Sequence, residues 1–370
     1  MSKTLRNKIV STTYKHILKP IFFLQDPENV HDKMTAVGKF LGRFSATRWL
    51  TRKMFLHSHP MLEQNILGIN FKNPVGLSAG FDKNAELTDI LPDVGFGFAE
   101  IGSVTGEFCA GNARPRLWRI PSHNSLMVYY GLKNDGSEAI SARLHNKKQR
   151  IPIGASVAMT NCQANCNVPS AILDFAKAFR NMEPVSDYIT VNISCPNTYS
   201  GQPFVIPENL EKLFVELDQI PTTKPVFIKL SPDLDESQID RILEVISHHR
   251  VHGIICTNLT KKRNREDIKK LNLPEFGGMS GKIVDPLADK LLAYVYKQTR
   301  GKYILIASGG IFTAEDAYRK IRLGANLLQL ITGMIYRGPQ VISEINAGLV
   351  ELLKRDGFKN VSEAIGVDNC

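Results

Sequence analysis

From residue 74 onward the chain alternates between short, unbroken apolar runs and longer stretches where apolar residues recur every three or four positions. The runs are "PVGLSAG" (74–80), "GFAEIGSV" (97–104), "PIGASVA" (152–158), "YITVNISC" (188–195), "PVFIKLSP" (225–232), "GIICTNL" (253–259), "YILIASGG" (303–310) and "LLQLITG" (327–333), eight in all. A strand with one wet face alternates apolar and polar residues, whereas a strand covered on both faces reads as a continuous apolar run. These runs therefore predict a parallel sheet. The stretches between them predict its covering helices: in "ENLEKLFVELDQI", Leu210, Leu213, Phe214 and Leu217 share one helical face. Eight strand–helix units predict an α/β fold of the (β/α)8 type, a TIM barrel. No G-x-G-x-x-G follows the first run to favour an open, doubly wound sheet.

Such a barrel does its chemistry at the carboxyl ends of its strands. Those ends carry Ser78 to Lys83, Ser103 and Thr105, Ser156, Asn192 to Asn197, Lys229, Thr257 and Asn258, Ser308 to Gly310, then Thr332 and Gly333. The last two ends, "ASGGI" and "ITGM", are rich in glycine and hydroxyls, and "GGMSGK" (277–282) is a third such loop. One glycine loop is a tight turn; three together predict a phosphate-bearing cofactor held on backbone N–H groups. Cys195 closes an apolar strand and is framed by Asn192, Pro196 and Asn197. That setting points to a reactive thiol more than to a packing cysteine.

Ahead of the barrel the period changes. Val30, Met34, Val37, Phe40, Leu41 and Phe44 recur at helical spacing, with Lys33, Lys39 and Arg43 between them. They predict an amphipathic helix led in by Asp26-Pro27, and Trp49, Leu50, Met54 and Phe55 predict a shorter one behind it. With the apolar, basic "HILKPIFFL" in front, residues 1–60 form a helical module distinct from the barrel of residues 61–370. Two placements stay open on pattern alone: in an anionic bilayer surface, or packed onto the barrel.

Charge sharpens this division. The formal net charge is +10, and residues 1–60 hold 11 Lys or Arg against 3 acids, a surplus of 8 that leaves about +2 for the rest. The basic excess is interleaved with apolar residues in one helical module, which argues for a membrane surface and against nucleic acid. No run of 18 apolar residues predicts a membrane-crossing helix. No secretory signal is evident, while a basic, acid-free start leaves a mitochondrial presequence open. The cysteines (109, 162, 166, 195, 256 and 370) are too few for a disulfide scaffold, and the lone C-x3-C at Cys162 and Cys166 lacks further ligands for a metal.

Longer motifs carry a family resemblance. "NPVGLSAGFDKNAE", "EIGSVTGEFCAGNARPRLWRIP", "VNISCPNT", "IKLSPDL", "GIICTNLT", "GGMSGK", "ASGGIFTAEDAYRKIRLGANLLQL" and "GPQVISEINAGLVELLKRDGF" together resemble dihydroorotate dehydrogenase. The match is nearer to the membrane-associated, quinone-linked class and takes in the helices around "FLQDPENVHDKM". The resemblance implies oxidation of dihydroorotate to orotate, a step of pyrimidine biosynthesis, with flavin mononucleotide (FMN) as cofactor and a membrane quinone as acceptor. It also implies a peripheral position, expected at the cytoplasmic face of a bacterial inner membrane, with the mitochondrial inner membrane still open.

By position, FMN would lie against Ser78, Ala79, Gly80 and Lys83, with Ser103, Ser156, Asn192, Thr257, Ser280 and Ile331 about it. Lys229 would face its pyrimidine edge, and Gly281, Gly309, Gly310 and Thr332 its phosphate. Lys83, Asn192, Asn197 and Asn258 would hold the substrate, Arg119 would belong to the quinone site, and Cys195 would be the catalytic base. A free thiol ionises near ~8.5, so the expectation is a modest downward shift.

Some positions depart from the quinone-linked class. It usually has serine as its base, whereas Cys195, "CPNTYSGQPF" and "YYGLKNDG" resemble the soluble class. Val128 and Leu259 stand where asparagine and threonine are expected. An alternative expectation is therefore an FMN oxidoreductase for another cyclic imide or enone, or a divergent copy with weak orotate activity. A non-catalytic flavoprotein is disfavoured by the retained Cys195, Lys83 and Lys229.

Overall fold

The computed structural model describes residues 3–369, so Cys370 and the first two positions lie outside the described residues. Eight parallel strands close into a barrel in chain order: β1 (Val75–Leu77), β2 (Phe98–Thr105), β3 (Ile153–Ala158), β4 (Tyr188–Asn192), β5 (Val226–Leu230), β6 (Gly253–Cys256), β7 (Ile304–Ser308) and β8 (Leu327–Leu330). Each lies in one of the eight apolar runs, β2 extending one residue past its run to Thr105. The covering helices follow the predicted period; in Pro207–Asp218, Leu210, Leu213, Phe214 and Leu217 are all buried.

The amino-terminal half of the barrel is plugged. Phe98, Tyr188, Phe227, Ile255, Ile306 and Leu327 pack there with Ile66 and Phe71 from an antiparallel hairpin (Gln64–Ile66 with Ile69–Phe71). The rings of Phe98, Tyr188 and Phe227 lie over Gly76, Gly154 and Gly253, where an added Cβ would sit 2.4, 2.0 and 2.2 Å from them. With that end filled by side chains, only the carboxyl end can open to a ligand. A small antiparallel sheet of Leu117–Ile120, Ser125–Val128 and Gly278–Met279 adds a wall there, and no periodicity had predicted it.

Before the barrel come α1 (Lys3–Thr13), α2 (Lys19–Phe23), α3 (Pro27–Arg43) and α4 (Ser45–Phe55). Asp26 caps α3 by accepting from the Asn29 N–H at 2.9 Å, with Pro27 in the first turn. The expected helices form, but their apolar faces point outward. Met34, Val37, Phe40 and Phe44 are 40, 45, 59 and 45% exposed, and Leu24 of the α2–α3 link is 90% exposed.

The barrel side of α3 carries Glu28, His31, Thr35, Gly38 and Gly42, again spaced by three and four. Small residues let the helix approach closely: a Cβ on Gly38 would stand 2.6 Å from the Leu87 side chain. Glu28 is buried against Arg116 at 2.7 Å, and Arg52 of α4 reaches the buried Asp93 at 2.8 Å. Among the described residues no helix is long and apolar enough to cross a membrane.

Candidate active site

A cavity of about 1280 Å³, its open mouth included, occupies the carboxyl end of the barrel. The strands deliver its polar groups. Asn192 ends β4 and donates to Ser103 Oγ at 2.8 Å, which lies 2.7 Å from Ser156 Oγ. Asn258, just past β6, donates to Asn192 Oδ1 (3.2 Å) and to Ser194 Oγ (3.0 Å), which ties the two amides together. Asn197 donates to the Val128 carbonyl at 2.9 Å, while its own Oδ1 is buried without a partner. A buried acceptor left open is costly unless a ligand supplies a donor.

Three cationic or acidic groups complete this end. Lys229, on β5, is buried and donates to Ser78 Oγ at 3.4 Å; burial lowers its pKa, and Glu100 pulls it back up in part. Lys83 lies over the Tyr130 ring at 4.1 Å, and burial brings it down to about 8. Cys195 faces the same cavity. Its thiol contradicts the expected downward shift: burial pushes it up to about 11, and the Asn197 N–H, Lys261 and Lys229 offset only part of that.

The other end is built from loops. Gly281, Gly309 and Gly310 have φ of 77°, 108° and 78°, and the Ser280 and Thr332 hydroxyls meet at 2.9 Å. The Gly310 backbone packs against Asp285, where a Cβ would come within 2.0 Å of the carboxylate. Among the described residues no lysine or arginine lines this end, so an anion there would rest on N–H and hydroxyl donors. A ligand with a polar planar head and a phosphate tail fits the two ends.

Most of the residues singled out in the sequence meet in this cavity: Ser78, Ala79, Gly80, Lys83, Ser103, Asn192, Cys195, Asn197, Lys229, Thr257, Asn258, Ser280, Gly281, Gly309, Gly310, Ile331 and Thr332. Val128 and Leu259 are on its wall. Two residues stand back from it. Ser156 is behind Ser103. Arg119 donates to the Gln25 carbonyl at 2.7 Å and lies 4.6 Å from the Phe23 ring, tying the small sheet to the end of α2.

Sequence reasoning missed His31. Its Nε2 lies 2.9 Å from the Phe81 carbonyl oxygen and 3.3 Å from Lys83 Nζ, and burial holds it down to about 4. Only its place in the polar stripe of α3 could have pointed to it. Also missed was an apolar wall of Leu117, Leu126, Val128, Phe312 and Ile335, which with Tyr336 packs toward Phe23 of α2. Cys162 and Cys166 lie apart from these groups on a short turn, Cys166 exposed.

Residues 61–353 match the family model described as dihydroorotate dehydrogenase. The chain belongs to the dihydroorotate dehydrogenase family. Curated relatives named dihydroorotate dehydrogenase (quinone) include one from Trichodesmium erythraeum, 34% identical over 96% of this chain and 99% of the relative. Another, from Haloarcula marismortui, is 39% identical over 81% of this chain and 84% of its own. The fold is similar to the crystal structure of DHODH in complex with ferulenol from Eimeria tenella, with a TM-score of 0.80 and 29% identity over 93% of this chain and 96% of that one. Dihydroorotate dehydrogenases of the quinone-linked kind are flavin-dependent oxidoreductases, and the cavity described here suits that chemistry at both ends.

Proposed function

We propose that the chain oxidises dihydroorotate to orotate on FMN and passes the electrons to a membrane quinone. The observation that carries the reading is the meeting, in one cavity, of Cys195 between two asparagines, the buried Lys229 and a glycine cradle free of cationic side chains. FMN supplies the hydride acceptor when bound. Cys195 Sγ takes the proton from the ring carbon beside a carbonyl while hydride leaves the adjacent carbon. Asn192, Asn197 and Asn258 orient the ring, and the orphaned Asn197 Oδ1 accepts from a ring N–H. Lys229 balances the negative charge that reduction brings to its end of the cavity, and Lys83 the carboxylate of the substrate.

Residues 1–60 are read as the membrane-facing module and quinone entrance, and residues 61–370 as the catalytic barrel. The outward apolar stripe of α3, with Lys33, Lys39 and Arg43 beside it, supports a peripheral seat on an anionic bilayer. The apolar wall running to Phe23 supports an acceptor that comes from the lipid side. The relatives named above do not favour the alternative of another cyclic imide or enone. Anaerobic mixing of the flavin-loaded protein with dihydroorotate should bleach the flavin absorbance, and added quinone should restore it. Absorbance unmoved by dihydroorotate would overturn the reading.

A further inference from the structure

Behind the glycine cradle lies a charge network that no catalytic step uses. Lys282 follows Gly281 and turns away from the cavity, donating to Asp285 Oδ2 at 2.9 Å and Asp316 Oδ1 at 2.7 Å. Those two carboxylates support the neighbouring cradle loop. Asp285 packs against Gly310, and Asp316 Oδ2 accepts from the Phe312 and Thr313 N–H groups at 3.0 and 3.1 Å. Lys282 thereby joins the loop of Ser280 and Gly281 to the loop of Gly309 and Gly310. Arg319 and Lys320 complete the network with Asp289, giving three acids against three bases.

The Asp285 and Asp316 side chains are only 11 and 9% exposed, so solvent screens them poorly. Without Lys282 an uncompensated negative charge would face the back of a site that holds a phosphate only on neutral donors. We propose that Lys282 is a positioning residue that gives the cavity its preference for a phosphorylated flavin, by cancelling the one negative charge that Arg319 and Lys320 leave over on Asp285, Asp289 and Asp316 behind the cradle. The proposal rests on the FMN reading and deepens it.

Equilibrium binding of FMN and of riboflavin, which lacks the phosphate, to the flavin-free full chain separates the two ideas. Lys282→Met should weaken FMN at least tenfold and leave riboflavin within about twofold. Lys282→Arg, which keeps the charge, should retain the wild-type ratio. Lys282→Met combined with Asp316→Asn, which removes one negative charge but keeps an acceptor for the loop N–H groups, should recover most of the lost FMN affinity. If FMN and riboflavin weaken alike in Lys282→Met, or the double variant recovers nothing, Lys282 is a structural tie and the proposal is overturned. Should Lys282→Met not fold, a changed FMN-to-riboflavin ratio in Lys282→Arg overturns it as well. A wild-type chain that binds riboflavin as tightly as FMN would instead sink the FMN reading itself.

Discussion

Cys195 and Lys83 occupy the same cavity, yet burial pushes them in opposite senses because one is charged when it loses a proton and the other when it keeps it. As the proposed base, Cys195 must lose its proton to act, and burial pushes its thiol up to about 11. Flavin reduction by dihydroorotate should therefore rise by about tenfold per pH unit from near neutrality upward, followed by stopped-flow absorbance. Cys195→Ala should lower the rate by roughly 10²–10⁴-fold and abolish that slope. An alanine variant with an undiminished rate would show that the thiol is not the base. Lys83 loses its charge as pH rises through about 8, so binding of the orotate anion should weaken above that pH. Calorimetric titration of orotate across that range checks it, and Lys83→Met should flatten the dependence.

The helix α3 shows how a single element serves two surfaces. Glu28 on its inner edge is 2% exposed and meets Arg116, Arg114 and Lys133. Burial alone would raise its pKa, but these cations outweigh it and hold the carboxyl below its ordinary value. The stabilisation is thus fully present above the ordinary carboxylate range and is lost as pH falls through the depressed pKa. Glu28→Ala should destabilise the fold by about 3 kcal/mol, the low end for breaking a buried pair, because Arg116 keeps the Ala110 and Asn112 carbonyls as acceptors. Thermal melts at neutral and acid pH measure both effects: the variant's deficit should shrink on acidification. The outer edge calls for different substitutions. Leu24→Asp with Phe40→Asp should reduce binding to anionic vesicles while leaving flavin reduction by dihydroorotate unchanged; vesicle flotation as strong as wild type would refute the membrane seat.

At the scale of the molecule, the barrel was legible because all eight strands are buried on both faces, and such strands write themselves as unbroken apolar runs. The end that carries the cavity was legible in part: Asn192, Lys229 and Asn258 fall at or near the carboxyl ends of the runs, whereas Glu100, Thr190 and Gln329 interrupt them in mid-strand and hydrogen-bond one another inside the barrel. The small sheet was not, since Gly278–Met279 is two residues long and Ser125–Val128 has one partner strand on each side only through the fold. The orientation of α3 was legible only in part. Hydrophobic periodicity left both placements open, the interleaved basic residues favoured the outward one, and the small, polar inner stripe went unread. The Cys195 thiol escaped too, because its ionisation depends on an enclosure assembled from loops distant in sequence.

The module of residues 1–60 carries the outward face of α3, and its Phe23 packs against the apolar wall of the barrel's cavity. An acceptor arriving by that route never dissolves in water, so its bulk concentration is the wrong variable. On the proposed membrane seat, the enzyme would meet a two-dimensional solution, in which crowding is counted per lipid. At fixed total quinone, adding quinone-free vesicles should slow turnover in proportion to the fall in quinone mole fraction, with the rate of flavin reduction by dihydroorotate untouched. A turnover rate indifferent to that dilution would place the acceptor's entrance on the aqueous side.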